Sequence, residues 1–117
     1  MSYDLAFWYE SGSLDAAAAY QKYDAMTDGE SGVTAESPRV AEFYRDVLKA
    51  YQDLTEDTTE EDSDQSPWTS SVYFNGECVL VNIAWSRKNE VSDTLITMAK
   101  SRGLVTYDPQ RELVVEA

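Results

Sequence analysis

Histidine is absent from this 117-residue chain and cysteine occurs once. The first absence removes the imidazole base, the Ser-His-Asp and Cys-His nucleophile pairs and every His-ligated metal centre. The second removes an internal disulfide and a thiolate zinc cluster. Positive charge is scarce as well. Nine Lys and Arg stand against 22 Asp and Glu, for a formal net charge of −13 and a pI near 4.1. Phosphate backbones are held by Lys and Arg, so this balance argues against a nucleic-acid partner. No apolar run approaches the ~20 residues that cross a bilayer. The opening Met1-Ser2-Tyr3-Asp4-Leu5-Ala6-Phe7-Trp8-Tyr9-Glu10 has neither the positive start nor the apolar segment of a signal peptide. With a single unpaired thiol, these features point to a cytoplasmic protein with no membrane partner.

What is present is enough apolar material for a core: 43% of residues are hydrophobic, with three Trp, eight Tyr and three Phe. An acidic chain without that content would read as disordered. The length suits one domain over 1–117.

The aromatic segment 3–9 reads as a strand. Ser13 is a candidate cap for a helix over 14–26, with Leu14, Ala17, Ala18, Gln21 and Ala25 along one stripe and Tyr20 and Tyr23 at its edges. Asp28-Gly29-Glu30-Ser31-Gly32 breaks the pattern as a loop. Ser37-Pro38 opens the clearest element, a helix over 37–54. Its stripe is Val40, Phe43, Tyr44, Val47, Leu48, Tyr51 and Leu54, opposite Glu42, Arg45, Asp46, Lys49 and Asp53. The stretch 55–67 has no aliphatic residue and reads as a solvated acidic loop closed by Pro67-Trp68.

A hairpin follows, with strands at 71–74 and 77–85 around Asn75-Gly76, whose two turn positions call for positive φ. In the second strand Val79, Val81, Ile83 and Trp85 share one face, and Cys78, Leu80, Asn82 and Ala84 the other. Both faces are partly apolar, as in a central strand. A third helix over 86–102 turns Val91, Leu95, Met98 and Ala99 inward and stops at Gly103. Two closing strands, 104–107 and 112–115, flank the turn Asp108-Pro109-Gln110-Arg111. The order β-α-α-β-β-α-β-β implies an α+β fold: a four- to five-stranded, mainly antiparallel sheet with three helices, expected on one face.

Few residues suggest chemistry. The acidic loop lacks the glycine and twelfth-position Glu of a calcium loop in either register tried, from Asp57 or Asp62. Paired carboxylates for hydrolysis need a pocket that raises one pKa, and these sit on a solvated loop. Cys78 has no neighbouring base to lower its pKa and reads as a small apolar residue. Gly29 and Gly32 lack the strand-before, helix-after setting of a phosphate loop, and Glu30 would repel phosphate. Trp8 and Trp85 fall in predicted strands and read as core. Trp68, after Ser66-Pro67, is either a half-exposed aromatic anchor beside a charged rim or a pin holding the loop to the sheet. No catalytic residue, cofactor site or metal site emerges.

The opening Ser2-Tyr3-Asp4-Leu5, the central Ser66-Pro67-Trp68 and the closing Gly103-Leu104-Val105-Thr106-Tyr107-Asp108-Pro109-Gln110 resemble a group of small acidic bacterial proteins of actinobacterial type, over nearly the whole chain. That resemblance implies turns and strands, not chemistry. In type, the chain is also similar to immunity proteins that neutralise interbacterial toxins. The expectation is therefore a non-enzymatic binding protein whose partner is a basic toxin domain. Asp53, Glu56, Asp57, Glu60, Glu61, Asp62, Asp64 and Trp68 are its candidate partner-binding residues. The alternative is a structural or regulatory protein that self-associates through the sheet, as a homodimer.

Overall fold

A computed structural model describes residues 2–53 and 66–116. The elements run β1 (Ser2–Trp8), α1 (Ala16–Thr27), α2 (Pro38–Ala50), β2 (Tyr73–Phe74), β3 (Cys78–Ala84), a 3₁₀ turn (Trp85–Arg87), α3 (Lys88–Ser101), β4 (Val105–Asp108) and β5 (Leu113–Val115). The five strands form one antiparallel sheet in the order β2-β3-β1-β4-β5, an α+β fold with the predicted order of elements.

β1 is central because its sequence can be buried on both sides. Tyr3, Leu5 and Phe7 are buried on one face, Ala6 and Trp8 on the other. One edge pairs with β3 from Ser2↔Ala84 to Trp8↔Cys78, and the other with β4 from Ala6↔Tyr107 to Trp8↔Val105. On the first face Leu5, Phe7, Val79, Val81 and Ile83 meet Val40, Phe43 and Val47 of α2 and Val91, Leu95 and Ala99 of α3. Phe7 and Phe43 pack with ring centroids 4.7 Å apart. On the second face Ala6, Trp8, Cys78, Val105 and Tyr107 meet Ala19 and Met26 of α1.

The helices therefore occupy both faces, not the single face expected. The physical reason is the alternation itself: with apolar residues on both sides of β1 and β3, one helical layer would leave the other side wet. α1 also starts and faces differently from its sequence pattern. Asp15, not Ser13, is the cap, its Oδ1 accepting from Ala18 N at 2.8 Å. Leu14, just before the cap, packs half-buried against the cluster that holds Ala19, in the positions of a hydrophobic staple. The buried stripe is Ala19 and Met26 with Tyr23 beside them, while Ala17, Gln21 and Tyr20 face solvent. An alanine-rich helix has little amphipathic signal, so the two large side chains that reach the sheet decide its rotation.

α2 matches its pattern more closely. Ser37 Oγ accepts from Arg39 N and Pro38 occupies the first turn, but the helix stops at Ala50, and Leu54 lies outside the described residues. Glu42 and Asp46 reach across to Arg102, at 2.5 and 2.8 Å. The Arg102 guanidinium holds the Asp46 carboxyl below the usual carboxylate range. α3 ends at Gly103, whose φ of +72° lets Leu104 N bond back to Ala99 O at 2.9 Å. The β2–β3 turn departs from expectation. Only Gly76 takes positive φ; Asn75 instead turns its side-chain oxygen onto Glu77 N and Cys78 N. Among the described residues no helix is long and apolar enough to cross a membrane.

Val47 is fully buried between α2 and the sheet. Val47→Asp places an unpaired charge there and should cost at least ~3 kcal/mol of a stability of ~5–15 kcal/mol. Urea denaturation checks this, and a parental midpoint would place Val47 outside the core.

Candidate interaction surface

Of the residues singled out in the sequence, Glu56, Asp57, Glu60, Glu61, Asp62 and Asp64 lie outside the described residues. Their composition still matters: residues 54–65 hold six of the 22 acids and none of the nine basic residues. Asp53 is half-buried, and its Oδ1 accepts from Val72 N at 2.8 Å. It ties the chain after α2 to the approach to β2.

Trp68 is not a half-exposed anchor. It is 3% exposed, pairs antiparallel with Ile83, and sets its ring edge-on to Tyr51 at 5.9 Å. Ser66 Oγ accepts from Trp68 N, and Pro67 O accepts from Ala84 N at 2.6 Å. Trp68 thus pins the returning chain to the end of β3. Its indole Nε1 finds no acceptor among the described residues.

The exposed tryptophan at this end of the sheet is Trp85, which the alternation of β3 placed in the core. β3 ends at Ala84, the chain turns into the 3₁₀ segment, and Trp85 emerges 43% exposed. Lys88 Nζ sits 3.7 Å from its ring centroid, and Tyr3 packs on it at 5.9 Å.

At this end of the sheet, segment 66–68 lies along β3 and segment 107–110 along the far edge of β1. The Tyr3 hydroxyl donates to Asp108 Oδ2. Asp108 Oδ1 accepts from Gln110 N, Gln110 Nε2 and Arg111 N, which closes the β4–β5 turn. Gln110 also makes two bonds to the backbone of Asp4, accepting from its N and donating to its O, both at 2.7 Å. A side-chain amide thereby stands in for the strand partner that β1 lacks beyond β4. Burial, and then the bond to Asp108, pushes the Tyr3 phenol up to about 12. These residues join strands.

The layers differ in charge. Between residues 10 and 36 there are six acids and one base, Lys22, which is paired with Glu10. Asp15, Asp24, Asp28, Glu30 and Glu36 are all exposed. Tyr20, 52% exposed, stands among them on α1. Residues 38–50 and 87–102 of the opposite layer hold seven of the nine bases against four acids. Among the described residues, α1 and its connection to α2 are therefore acidic, and the α2 and α3 helices mildly basic.

The connection following α1 is held by Glu77, a buried residue that the sequence did not mark as important. Its carboxylate accepts from Gly32 N at 2.9 Å, Val33 N at 3.0 Å and Thr34 N at 3.3 Å. The Gly32 N–H, helped by those of Thr34 and Val33, holds the carboxyl below its usual range against the opposing effect of burial. A lone Glu in a hairpin turn carries no pattern; only the tertiary contact reveals it.

Chemically reactive groups are muted. Burial pushes the Cys78 thiol up to about 12, so it stays protonated at neutral pH. Among the described residues no cluster of Cys, Asp and Glu could hold a metal ion. Depressions of about 230 to 410 Å³ lie along α1 and its flanking loops. No protein-family model matches the chain, and neither a curated protein nor a solved structure matches it.

Because its folded pKa lies below the ordinary value of 4.5, Glu77 contributes stability in full above about pH 4.5 and loses it as pH falls through the folded value. Glu77→Ala should unfold at lower urea at pH 7, with the gap to the parent closing on acidification below 4.5. A gap constant to the acid end would contradict the assignment. The tryptophans should also separate. Trp68→Ala should cost ~3–5 kcal/mol as a core truncation, and Trp85→Ala within ~1 kcal/mol. Equal losses by thermal melting would mean the two are not buried differently.

Proposed function

We propose that this chain is a non-enzymatic cytoplasmic binding protein, an immunity protein that neutralises a bacterial toxin by covering a basic surface. The observation that supports this best is the run of exposed acids on α1 and its connection to α2, beside mildly basic α2 and α3 helices. The α1 side exposes Asp15, Asp24, Asp28, Glu30 and Glu36 with no unpaired base among them. Such a field raises the association rate with a basic partner and disfavours acidic ones. The six acids within 54–65 add negative charge to the chain as a whole. The muted thiol at Cys78 suits a protein that acts by contact.

Self-association through the sheet is the weaker reading. β5 is an edge strand flanked by Glu112 and Glu116. Two-fold antiparallel pairing about Val114 would set Glu112 of one copy opposite Glu116 of the other, and directly opposed like charges destabilise a ladder. A net charge of −13 on each copy opposes it further.

The test is co-production with a toxic domain encoded beside the gene, followed by binding kinetics. Asp24→Lys with Asp28→Lys and Glu30→Lys should slow association at least ~10-fold at low salt. The difference should vanish near 1 M salt, where the screening length is ~3 Å. Neutralising Glu56, Asp57, Glu60, Glu61, Asp62 and Asp64 together should slow it in the same salt-dependent way. Parental kinetics and full protection in both variants would overturn the proposal.

A further inference from the structure

We propose that the depression at the C-terminal end of α1 is a seat for a single arginine side chain of the basic partner, with Asp4 as its counter-ion and Tyr23 and Tyr73 as its aromatic walls. This deepens the reading of the α1 side as the partner-facing side and rests on it. α1 ends at Thr27, and Gly29 follows it at φ +79°. Across from this helix end, Leu80 and Asn82 are only half-buried and Tyr73 is 39% exposed. The space left, about 230 Å³, is lined by Tyr23, Met26, Thr27, Tyr73, Leu80 and Asn82 among others. That is below the ~300–1,000 Å³ of ordinary small-molecule sites. It suits one side chain.

The lining selects its chemistry. Met26 and Leu80 offer apolar surface to a methylene stem, and tyrosine faces attract a cation. The charge comes from Asp4, which stands beside the lining rather than in it, as the register partner of the lining residue Asn82 on the same face of the sheet. Asn82 Nδ2 donates to Asp4 Oδ1 at 2.7 Å and Ser2 Oγ donates to the same oxygen, while Asn82 Oδ1 accepts from Ser70 Oγ. The amide, fixed by Ser70, thus orients the carboxylate through one N–H. Asp4 Oδ2 takes no hydrogen bond among the described residues, and no Lys or Arg pairs with Asp4. The charge of Asp4 also reaches the Tyr23 phenol, which burial first and Asp4 second push upward. An acidic side chain would be repelled here, and an apolar plug would strip water from an unpaired carboxylate. Between the two cations, a planar, weakly hydrated guanidinium stacks on aromatic faces better than an ammonium does.

The test uses the full chain and N-acetyl-L-argininamide at low salt, with the neutral citrulline analogue as control, followed by amide chemical shifts. Saturable shifts are expected at residues 4, 23, 27, 73, 80 and 82, at the millimolar affinity of a one-side-chain contact. The citrulline analogue should leave them unmoved. Asp4→Asn should weaken binding about tenfold, since a charge-assisted contact becomes a neutral one. Tyr73→Leu, an exposed position that leaves the core intact, should weaken it several-fold. Absence of saturation, equal binding of the citrulline analogue, or parental affinity in both variants would overturn the seat. Argininamide binding that persists while the α1 charge reversals leave toxin neutralisation untouched would support the seat and remove the proposed function.

Discussion

β1 must be covered on both faces and paired on both edges at once, and the rest of the molecule is arranged to meet that demand. Phe7 and Trp8 point to opposite sides of the sheet, and both are fully buried. Each therefore needs its own helical layer: Phe7 receives Phe43 of α2, and Trp8 lies in the cluster formed with α1. The edges are satisfied by β3 and β4, both of which come from the second half of the chain. An N-terminal strand in this position can be completed only after most of the chain is available. Long-range pairing of this kind is slow to form and costly in loop closure.

The same demand explains the joinery at the end of the sheet. Where β4 stops, the backbone of Asp4 would face an empty edge, and Gln110 supplies both the donor and the acceptor that a strand would have. Asp108 closes the hairpin that presents Gln110 and takes the Tyr3 hydroxyl on its other oxygen. On the other side of β1, the outer edge of β3 beyond β2 is covered by Pro67, which accepts from Ala84 N, and Trp68, which bridges to Ile83. Buried backbone groups are nearly always paired, and here side chains and short returning segments do the pairing.

Putting helices on both faces also divides the charge. α2 and α3 need amphipathic surfaces to pack as a pair, and their outer sides carry interleaved Arg, Lys, Glu and Asp, including the Arg102 bridge to Glu42 and Asp46. α1 packs with few large residues, and its outward side and following connection are dominated by carboxylates. Glu77 holds that acid-rich connection in place at residues 32–34.

Much of this was legible in the residues alone. Periodicity located α2 and α3, capping and stop signals bounded them to within a few residues, and alternation identified β3 as two-sided. The acidic balance and the lack of histidine were read directly from composition. What the residues could not decide was anything resting on relative position. Alanine-rich α1 has no strong face, so its rotation is set by Tyr23 packing on Tyr107 and by Met26 entering the cluster on that side of the sheet. Trp85, read as core, is exposed because β3 ends at Ala84, and only the fold decided between the anchor and the pin readings of Trp68. The Glu77 anchor and the Asp4–Asn82 pair join residues far apart in sequence, and no local pattern encodes such contacts. The sequence by itself determined the elements, their order and the excess of negative charge. Only the tertiary structure decided which faces they cover and where that charge is presented, because burial and pairing are properties of neighbours in space.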